Sequence, residues 1–293
     1  MSEEAGAAAV AESSAADSQA LPLRVIEGGE GRRRVDWAEF WQYRELLYFL
    51  VWRDVKVRYK QTVLGVAWAL LQPLAMTAVF ALFFGRWAGL GQKTGDVPYP
   101  LFVLTGLLPW AFFASAVTAS SNSLVGSAQL LTKVYFPRLI IPFSTVGVAL
   151  LDLGISLVIL AALMLYYGVR PTWMLLLAPI PLLGVALVAI GVGTYLAALT
   201  VAYRDFRYVV PFTIQIWMFL SPVIYPSRLV PEDWRWLQAL NPLTGMLDGL
   251  RACIFHFPVD WTGQALSWAI TLLALWWGIR YFRRVERGLA DVI

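Results

Sequence analysis

The run LIIPFSTVGVALLDLGISLVILAALMLYY (139–167) contains a single charged side chain, Asp152. An α-helix rises 1.5 Å per residue, so about 20 apolar residues cross the roughly 30 Å hydrocarbon core of a bilayer. This run exceeds that length, and its one acid is too little to keep it in water. It predicts a transmembrane helix and makes the whole chain a candidate membrane protein.

The composition of the 293-residue chain supports the same interpretation. Apolar residues make up 59% and charged residues 14%, whereas a soluble domain has about 45–50% apolar and about 25% charged residues. The sequence predicts an all-α integral membrane protein. Further apolar runs predict six transmembrane helices in total, at 63–85, 101–122, 139–167, 173–202, 209–224 and 261–282. The fifth is short.

The distribution of Lys and Arg predicts the orientation, because cytoplasmic flanks carry the excess of these residues. With the N-terminus in the cytoplasm, about twice as many lie on the cytoplasmic side. The cytoplasmic flanks hold Arg44, Arg53, Lys56, Arg58, Lys60, Lys133, Arg138, Arg204, Arg207, Arg280, Arg283, Arg284 and Arg287, and the outer flanks hold Arg86, Lys93, Arg170, Arg228, Arg235 and Arg251. Both termini are therefore predicted to be cytoplasmic. This rule explains the net charge of +4 better than nucleic-acid binding does.

The first 36 residues are predicted to be a disordered cytoplasmic tail, because they are rich in Ala, Ser, Glu and Gly and contain no apolar core of signal-peptide length. The transmembrane domain is expected over 37–293. Residues 40–60 predict an amphipathic helix lying in the membrane interface. Its apolar face would hold Tyr48, Val51, Trp52, Val55 and Tyr59, and its opposite face Arg53, Lys56 and Lys60.

Residues 231–255 predict two short helical pieces on the outer side, separated by Asn241 and Pro242. Neither piece is long enough to cross the bilayer. Such segments occur where irregular backbone lines a cavity or covers an entrance. We therefore expect re-entrant helices between the fifth and sixth spans.

Several kinds of chemistry are not expected in this chain. The chain has one cysteine, Cys253, and one histidine, His256, which excludes a Cys-rich or a His-based metal site. The sequence also has no phosphate-binding loop. Ion-coupled transporters place several ionisable residues within their spans, but here only Asp152 lies clearly inside a predicted span, and it could stabilise a kink or pair with Arg138. The aromatic residues divide between interfacial belts and deeper positions, where their rings could stack on sugar rings.

Short motifs along residues 37–293 closely resemble the permease of type-2 ABC exporters, in the subfamily that exports O-antigen, capsular polysaccharide or teichoic acid. They are YRELL (43–47), RDVKVRYK (53–60), Leu64-Gly65, Trp68, LQP (71–73), LLTKVYFPRLIIP (130–142), YRDFR (203–207), SPVIYP (221–226), Asn241-Pro242, FRRVER (282–287) and ADVI (290–293). Their order and spacing make the resemblance strong.

The resemblance implies a homodimer in the inner membrane that works with two copies of a separate ABC ATPase. The chain itself would carry no cofactor and perform no catalysis, because ATP and Mg²⁺ would bind the ATPase. The cargo would be a lipid-linked polysaccharide such as O-antigen. The alternatives within this architecture are teichoic acid, lipid or drug export. The resemblance further implies a channel along the dimer axis, lined by the first and fifth spans.

The resemblance also assigns roles to residues. A coupling helix over 128–138 would contact the ATPase through Lys133, Tyr135, Phe136, Pro137 and Arg138. Arg53, Lys56, Arg58 and Lys60 would form a cytoplasmic gate that meets the lipid-linked pyrophosphate or acidic groups of the ATPase. Trp68, Phe80, Phe112, Phe113, Phe212, Trp217 and Phe219 are the aromatic residues considered for the channel lining. Trp234, Trp236, Asn241 and Pro242 would belong to the outer gate.

Overall fold

The computed structural model describes residues 37–60, 66–170 and 172–286, and this part of the chain contains helices and no β-strand. In chain order the helices are α1 (Trp37–Gln42), α2 (Arg44–Lys60), α3 (Val66–Phe80, continued by a π-helical stretch over Ala81–Trp87), α4 (Tyr99–Gly126), α5 (Ala128–Lys133), α6 (Ile140–Tyr166), α7 (Pro179–Ala202), α8 (Phe206–Leu220), α9 (Arg235–Ala239), α10 (Pro242–Phe255) and α11 (Trp261–Glu286). Short 3₁₀ turns lie at Leu90–Lys93, Trp173–Leu177, Ser227–Leu229 and Glu232–Trp234.

Within the described residues, five helical segments are long and apolar enough to cross a membrane. They are Ala67–Trp87, Tyr99–Gly126, Ile140–Tyr166, Trp173–Ala202 and Trp261–Glu286. Each matches a predicted span to within four residues at either end, and the start of the first predicted span (63–65) lies outside the described residues. The predicted tail (1–36) and the motif at the C-terminus (287–293) also lie outside them. The coarse prediction of an all-α membrane protein is confirmed.

The fifth predicted span, 209–224, differs from the helix that forms. Helix α8 ends at Leu220, and Ser221 has an extended backbone with φ −97° and ψ 146°. Ser221 precedes Pro222, and a proline ring disfavours helical geometry at the residue before it. At 15 residues, α8 is about 22 Å long, which is less than the roughly 30 Å of the hydrocarbon core.

Helix α4 forms the centre of the bundle. It packs against α6 and α7, and α7 packs in turn against α11. Leu101, Leu104, Phe113, Ala116 and Val117 of α4 are fully buried. The apolar residues of α4 thus face other helices of the same protomer rather than lipid.

Close approach of α7 and α11 depends on two glycines. A Cβ atom built on Gly278 would lie 2.1 Å from the carbonyl oxygen of Gly191, and a Cβ on Gly191 would lie 2.7 Å from Cα of Leu275. Small residues allow helix backbones to pack closely in membranes, where apolar lipid supplies little drive for association. These two positions therefore fix the distance between the two helices.

Several buried hydroxyl groups donate to backbone carbonyls of their own helices. Ser144 Oγ donates to the Ile141 carbonyl at 2.8 Å, and Thr200 Oγ1 donates to the Leu196 carbonyl at 2.8 Å. Because the bilayer core offers no water, such bonds to the preceding turn remove the cost of burying a polar group. Ser and Thr in the spans are thus compatible with the apolar surroundings.

Candidate functional site

The segment over 128–138, the predicted coupling helix, is helical only in its first half. Helix α5 begins after Ser127, at the end of α4, and ends at Lys133. Val134 is extended, with φ −133° and ψ 134°, and Pro137 restricts the backbone of Phe136 before it. The second half is therefore a connection that leads into α6, and we call residues 128–138 the coupling segment.

The coupling segment exposes some of the predicted contact residues and buries another. Lys133 is exposed and Tyr135 is 69% exposed, whereas Phe136 is only 5% exposed. Pro137 and Arg138 are half-buried. Lys133 and Tyr135 remain available to a partner, while the buried ring of Phe136 fastens the segment to its own protomer.

Arg138 connects the coupling segment to the last long helix. Its Nη1 donates to the carbonyl oxygen of Glu286 at 3.0 Å, at the C-terminal end of α11. The last carbonyls of a helix have no partner within the helix, and an arginine there is favourable both as a donor and as a positive charge. A displacement of the coupling segment would therefore reach α11 through this bond.

Helix α2 packs against α6. Phe40 of the preceding helix α1 also contacts α6, because its ring meets that of Phe143 edge to face at 5.3 Å. A Cβ built on Gly147 would lie 2.8 Å from Cγ2 of Val51, so the glycine lets α2 approach α6 closely. The interface helix is thus attached to a long apolar helix along its length.

Asp152 receives two partners from the end of α2. Arg58 Nη1 lies 2.6 Å from Asp152 Oδ2, and the Tyr59 hydroxyl donates to Asp152 Oδ1. Burial, followed by the hydrogen bond to Asp152, raises the pKa of Tyr59 to about 12, which keeps the phenol a donor at neutral pH. The suggested pairing of Asp152 with Arg138 is wrong, because Arg138 donates to Glu286 instead.

The other basic residues of α2 lie on its exposed side together with aromatic rings. Arg53 forms an ion pair with Asp54 at 2.8 Å. Lys56 Nζ lies 5.2 Å from the centre of the Trp52 ring, and Lys60 is exposed. Of the predicted apolar face, Tyr48 and Trp52 are exposed, so its contact with the membrane stays a prediction, and Leu50 is the buried residue of α2.

The aromatic residues considered for a channel lining separate into two groups. Phe80, Phe112 and Phe113 are buried inside the protomer, and Phe113 is 0% exposed. They contact other helices of the same protomer and present no face to a cargo in this structure, which corrects the prediction for these three. Trp68 on α3 and Phe212 and Phe219 on α8 are exposed, and Trp217 is half-buried.

Trp217 and Asn241 bring together a predicted channel residue and a predicted gate residue. Trp217 Nε1 donates to Asn241 Oδ1 at 3.1 Å, and the same oxygen accepts the Leu243 backbone N–H at 3.1 Å, which caps the start of α10. Asn241 Nδ2 donates to Ser221 Oγ at 2.8 Å. One side chain therefore joins the end of α8 to the start of α10. Pro242 begins α10 and is buried.

Trp234 and Trp236, the other predicted gate residues, are both exposed. They flank the start of the five-residue helix α9, and Trp236 lies within it. The structure brings neither of them into the Asn241 network. Their role in an outer gate stays a prediction.

Arg251 on α10 is a buried cation that the sequence interpretation treated as a flank charge. Its Nη1 donates to the Pro222 carbonyl at 2.6 Å and its Nη2 to the Val223 carbonyl at 2.7 Å. Asp248 lies 3.6 Å from Nη1, and the guanidinium lies 3.8 Å above the Phe102 ring. Burial lowers the Arg251 pKa to about 10, which leaves it charged at neutral pH.

Arg251 thus fixes the turn after α8 to α4 and α10. Its two carbonyl acceptors belong to the residues that leave the helix because of Pro222. The sequence did contain a signal: an acid and an arginine spaced three residues apart, Asp248 and Arg251, within an otherwise apolar helix. A charge in such a place is expected to be paired.

The amino-acid sequence matches known proteins along most of its length. The family of ABC-2 type transporters matches residues 45–255. The chain is 32% identical over 259 residues to the O-antigen export system permease protein RfbA of Myxococcus xanthus, covering 87% of this chain and 98% of that protein. It is 28% identical to the O-antigen export system permease protein RfbA of Klebsiella pneumoniae, covering 85% of this chain and 95% of that protein.

Another similar protein is named for a different cargo. The chain is 24% identical to the polysialic acid transport protein KpsM of Escherichia coli, over 81% of this chain and 92% of that protein. The matched region contains the coupling segment, the Asn241 network and Arg251. From its all-helical architecture and these similarities, the chain belongs to the family of ABC-2 type transporters.

Proposed function

We propose that this chain is the membrane permease of an ATP-driven exporter that moves a lipid-linked polysaccharide, such as O-antigen, across the inner membrane. The observation that carries the proposal is the similarity to the RfbA permease over 87% of the chain. The polysialic acid relative supports a polysaccharide as the class of cargo.

The energy source is proposed to be a separate ABC ATPase that binds ATP and Mg²⁺. The sequence has no Gly-Lys-Ser/Thr string, which a phosphate-binding loop of ATPases requires. The permease would then supply the membrane path, and two ATPase subunits would supply the work.

The coupling segment is proposed as the contact with the ATPase. Lys133 and Tyr135 are among the exposed side chains there, and the buried ring of Phe136 holds the segment in place. When the ATPase dimer closes on ATP, its motion would press on this segment, and the bond from Arg138 to Glu286 would transmit the displacement to α11.

The path for the polysaccharide is proposed between two copies of this chain. Helices α3 and α8 carry exposed apolar faces, with Trp68 on the first and Phe212 and Phe219 on the second. Aromatic faces can stack on sugar rings without holding one position, because the contact depends on apolar area rather than on directed hydrogen bonds. Such a surface lets a polymer slide.

The topology proposed with this function has six crossings and two cytoplasmic termini. Helix α8 with the turn after it would form the fifth crossing, and α9 and α10 would lie re-entrant on the outer side. The excess of Lys and Arg on one side supports this orientation. Lys56 and Lys60 of α2 would then lie near the cytoplasmic headgroups, together with Arg53 and Arg58. There they would attract the pyrophosphate of the carrier lipid.

The proposal is tested in source cells from which this gene is deleted. Loss of surface polysaccharide together with its accumulation inside the cell is expected, and the parental gene should restore export. Tyr135→Ala should then lose both co-purification of the ATPase and export. The control Tyr166→Ala, at another exposed tyrosine at the end of α6, should retain both. Normal surface polysaccharide in the deletion strain would contradict the function.

A further inference from the structure

A cavity of about 520 Å³ opens between α9, α10 and the start of α11. Its walls include Gln238 of α9, Thr244, Asp248 and Arg251 of α10, and Phe257 and Asp260 before α11. The volume falls within the range of about 300–1,000 Å³ that is typical of small-molecule sites. The two short helices on either side of Asn241 therefore enclose a space of ligand size.

Three polar atoms on side chains of this wall have no hydrogen-bond partner among the described residues. They are Nε2 of Gln238, Oγ1 of Thr244 and Nε of Arg251. Gln238 is 9% exposed and Arg251 is 1% exposed. A buried polar atom without a partner costs about 1–3 kcal/mol, so a ligand that supplied a partner to these atoms would be stabilised.

The charges around the cavity indicate the class of that partner. The cavity wall carries charges of both signs, which disfavours a cation and an anion alike. The charged residues are Arg228, Arg235, Arg251, Asp248 and Asp260. Gln238 Nε2 and Arg251 Nε can only donate, whereas a carboxylate accepts and a threonine hydroxyl does both. A neutral molecule with several hydroxyl groups fits all of these requirements, because each hydroxyl both donates and accepts.

An apolar face in the same wall favours a ring over a linear polyol. Phe257 is half-exposed at the cavity, and its ring is tilted against Phe255 at 5.7 Å. One face of a sugar ring carries C–H groups that pack on an aromatic face, while its edge carries the hydroxyls. In the cavity wall, Phe257 could contact the C–H face of the ring, and the polar side chains could bond to its hydroxyls.

We propose that this cavity is a carbohydrate-binding site that takes a neutral sugar unit of the exported glycan. The proposal goes beyond the export function and rests on it for the source of the glycan. A sugar bound between Gln238 and Thr244 would bridge α9 and α10 on both sides of Asn241. It would thereby couple the presence of glycan to the position of the two short helices, which Asn241 joins to Trp217.

The test measures binding without transport. The permease with its ATPase is purified in lipid nanodiscs and titrated calorimetrically with the oligosaccharide that mild acid releases from the surface glycan of the source cells. Inorganic phosphate serves as the anionic probe. Gln238→Leu and Thr244→Val remove the unpaired atoms, and Gln92→Leu, at an exposed glutamine outside the cavity, is the matched control. Elution volume of the complex verifies folding of each variant.

Saturable binding of the oligosaccharide, about tenfold weaker in each cavity variant and unchanged in Gln92→Leu, is the expected result, since tenfold corresponds to about 1.4 kcal/mol. No saturable binding, equal affinity in all variants, or preference for phosphate would overturn the proposal. If the same complex exports the glycan when it is reconstituted in closed vesicles but binds no oligosaccharide, the cavity holds water alone and the proposal is wrong. Absence of export by the parental complex in vesicles would instead contradict the proposed function.

Discussion

Helix α4 and helix α3 have similar hydropathy but very different surroundings. In its most apolar stretch, α4 is 78% buried inside the protomer, whereas the segment Ala67–Trp87 is only 11% buried. Helix α8 resembles α3, because most of its aromatic and aliphatic side chains are exposed. Hydropathy therefore identifies membrane helices but does not predict which of them pack inside the protomer. Helix α4 stabilises the protomer, and α3 and α8 are left for lipid, a second copy or the cargo.

The largest expected effect comes from the closest contact inside the bundle. Gly278→Leu would drive a side chain into the Gly191 carbonyl, and we expect a loss of at least about 3 kcal/mol of stability and little folded permease. Gly154→Leu on α6 is the control, because a Cβ there meets no atom within 4 Å. Detergent-solubilised protein eluting as a single peak measures both. Equal yields of folded protein from Gly278→Leu and Gly154→Leu would contradict the conclusion that close packing at Gly278 is needed for stability.

The buried cation is expected to have the next largest effect. Arg251→Leu removes the donors for the Pro222 and Val223 carbonyls and leaves Asp248 without its ion pair, for an expected cost of about 3–5 kcal/mol. Arg170→Leu removes an exposed arginine and should change stability by less than about 0.5 kcal/mol. Thermal unfolding of the two variants side by side measures the difference. A Tm of Arg251→Leu close to the parental value would contradict an anchoring role.

Asn241 should have an intermediate effect, because its oxygen caps α10 and accepts from Trp217. Asn241→Ala is expected to cost about 1–2 kcal/mol. Asn241→Asp retains the accepting oxygen and loses only the donor to Ser221, so it should cost less. Tm values in the order parental, Asp, Ala are predicted. If Asp is as damaging as Ala, the bond to Ser221, and not the cap, is the important one.

The smallest effect on stability is predicted at the exposed face of α8. Phe212→Ala should change unfolding by less than about 0.5 kcal/mol, whereas Phe113→Ala, at a fully buried ring, should cost about 3–5 kcal/mol. Polysaccharide export should nevertheless fall in Phe212→Ala, because the exposed face is proposed to meet the second copy or the cargo. If Phe212→Ala exports polysaccharide at the parental rate, this face of α8 contacts lipid instead.

The sequence predicted the long helices well because their signal is local. The run 139–167 became a helix over Ile140–Tyr166, since length and hydropathy alone decide it. The end of α8 was missed although Pro222 marks it, because hydropathy continues through Val223 and Ile224. A rule for the residue before proline would have found this boundary.

Pairings between distant residues could not be predicted in the same way. The sequence suggested only Arg138 as a partner of Asp152, and it is the packing of α2 on α6 that brings Arg58 and Tyr59 to it instead. Likewise, α4 and α8 contain the same types of aromatic residue, and only burial distinguishes Phe113 from Phe212. Helix rotation about its axis is a tertiary property, which one sequence does not encode locally.

The central claim is ATP-driven movement of glycan by this permease. The most direct measurement uses inside-out membrane vesicles that contain the permease and its ATPase, supplied with lipid-linked glycan on the outside, where the cytoplasmic face lies. The account predicts that ATP makes the glycan resistant to an added glycosidase as it enters the lumen, and that vesicles without the permease show no protection. Protection that is independent of ATP or of the permease would contradict it.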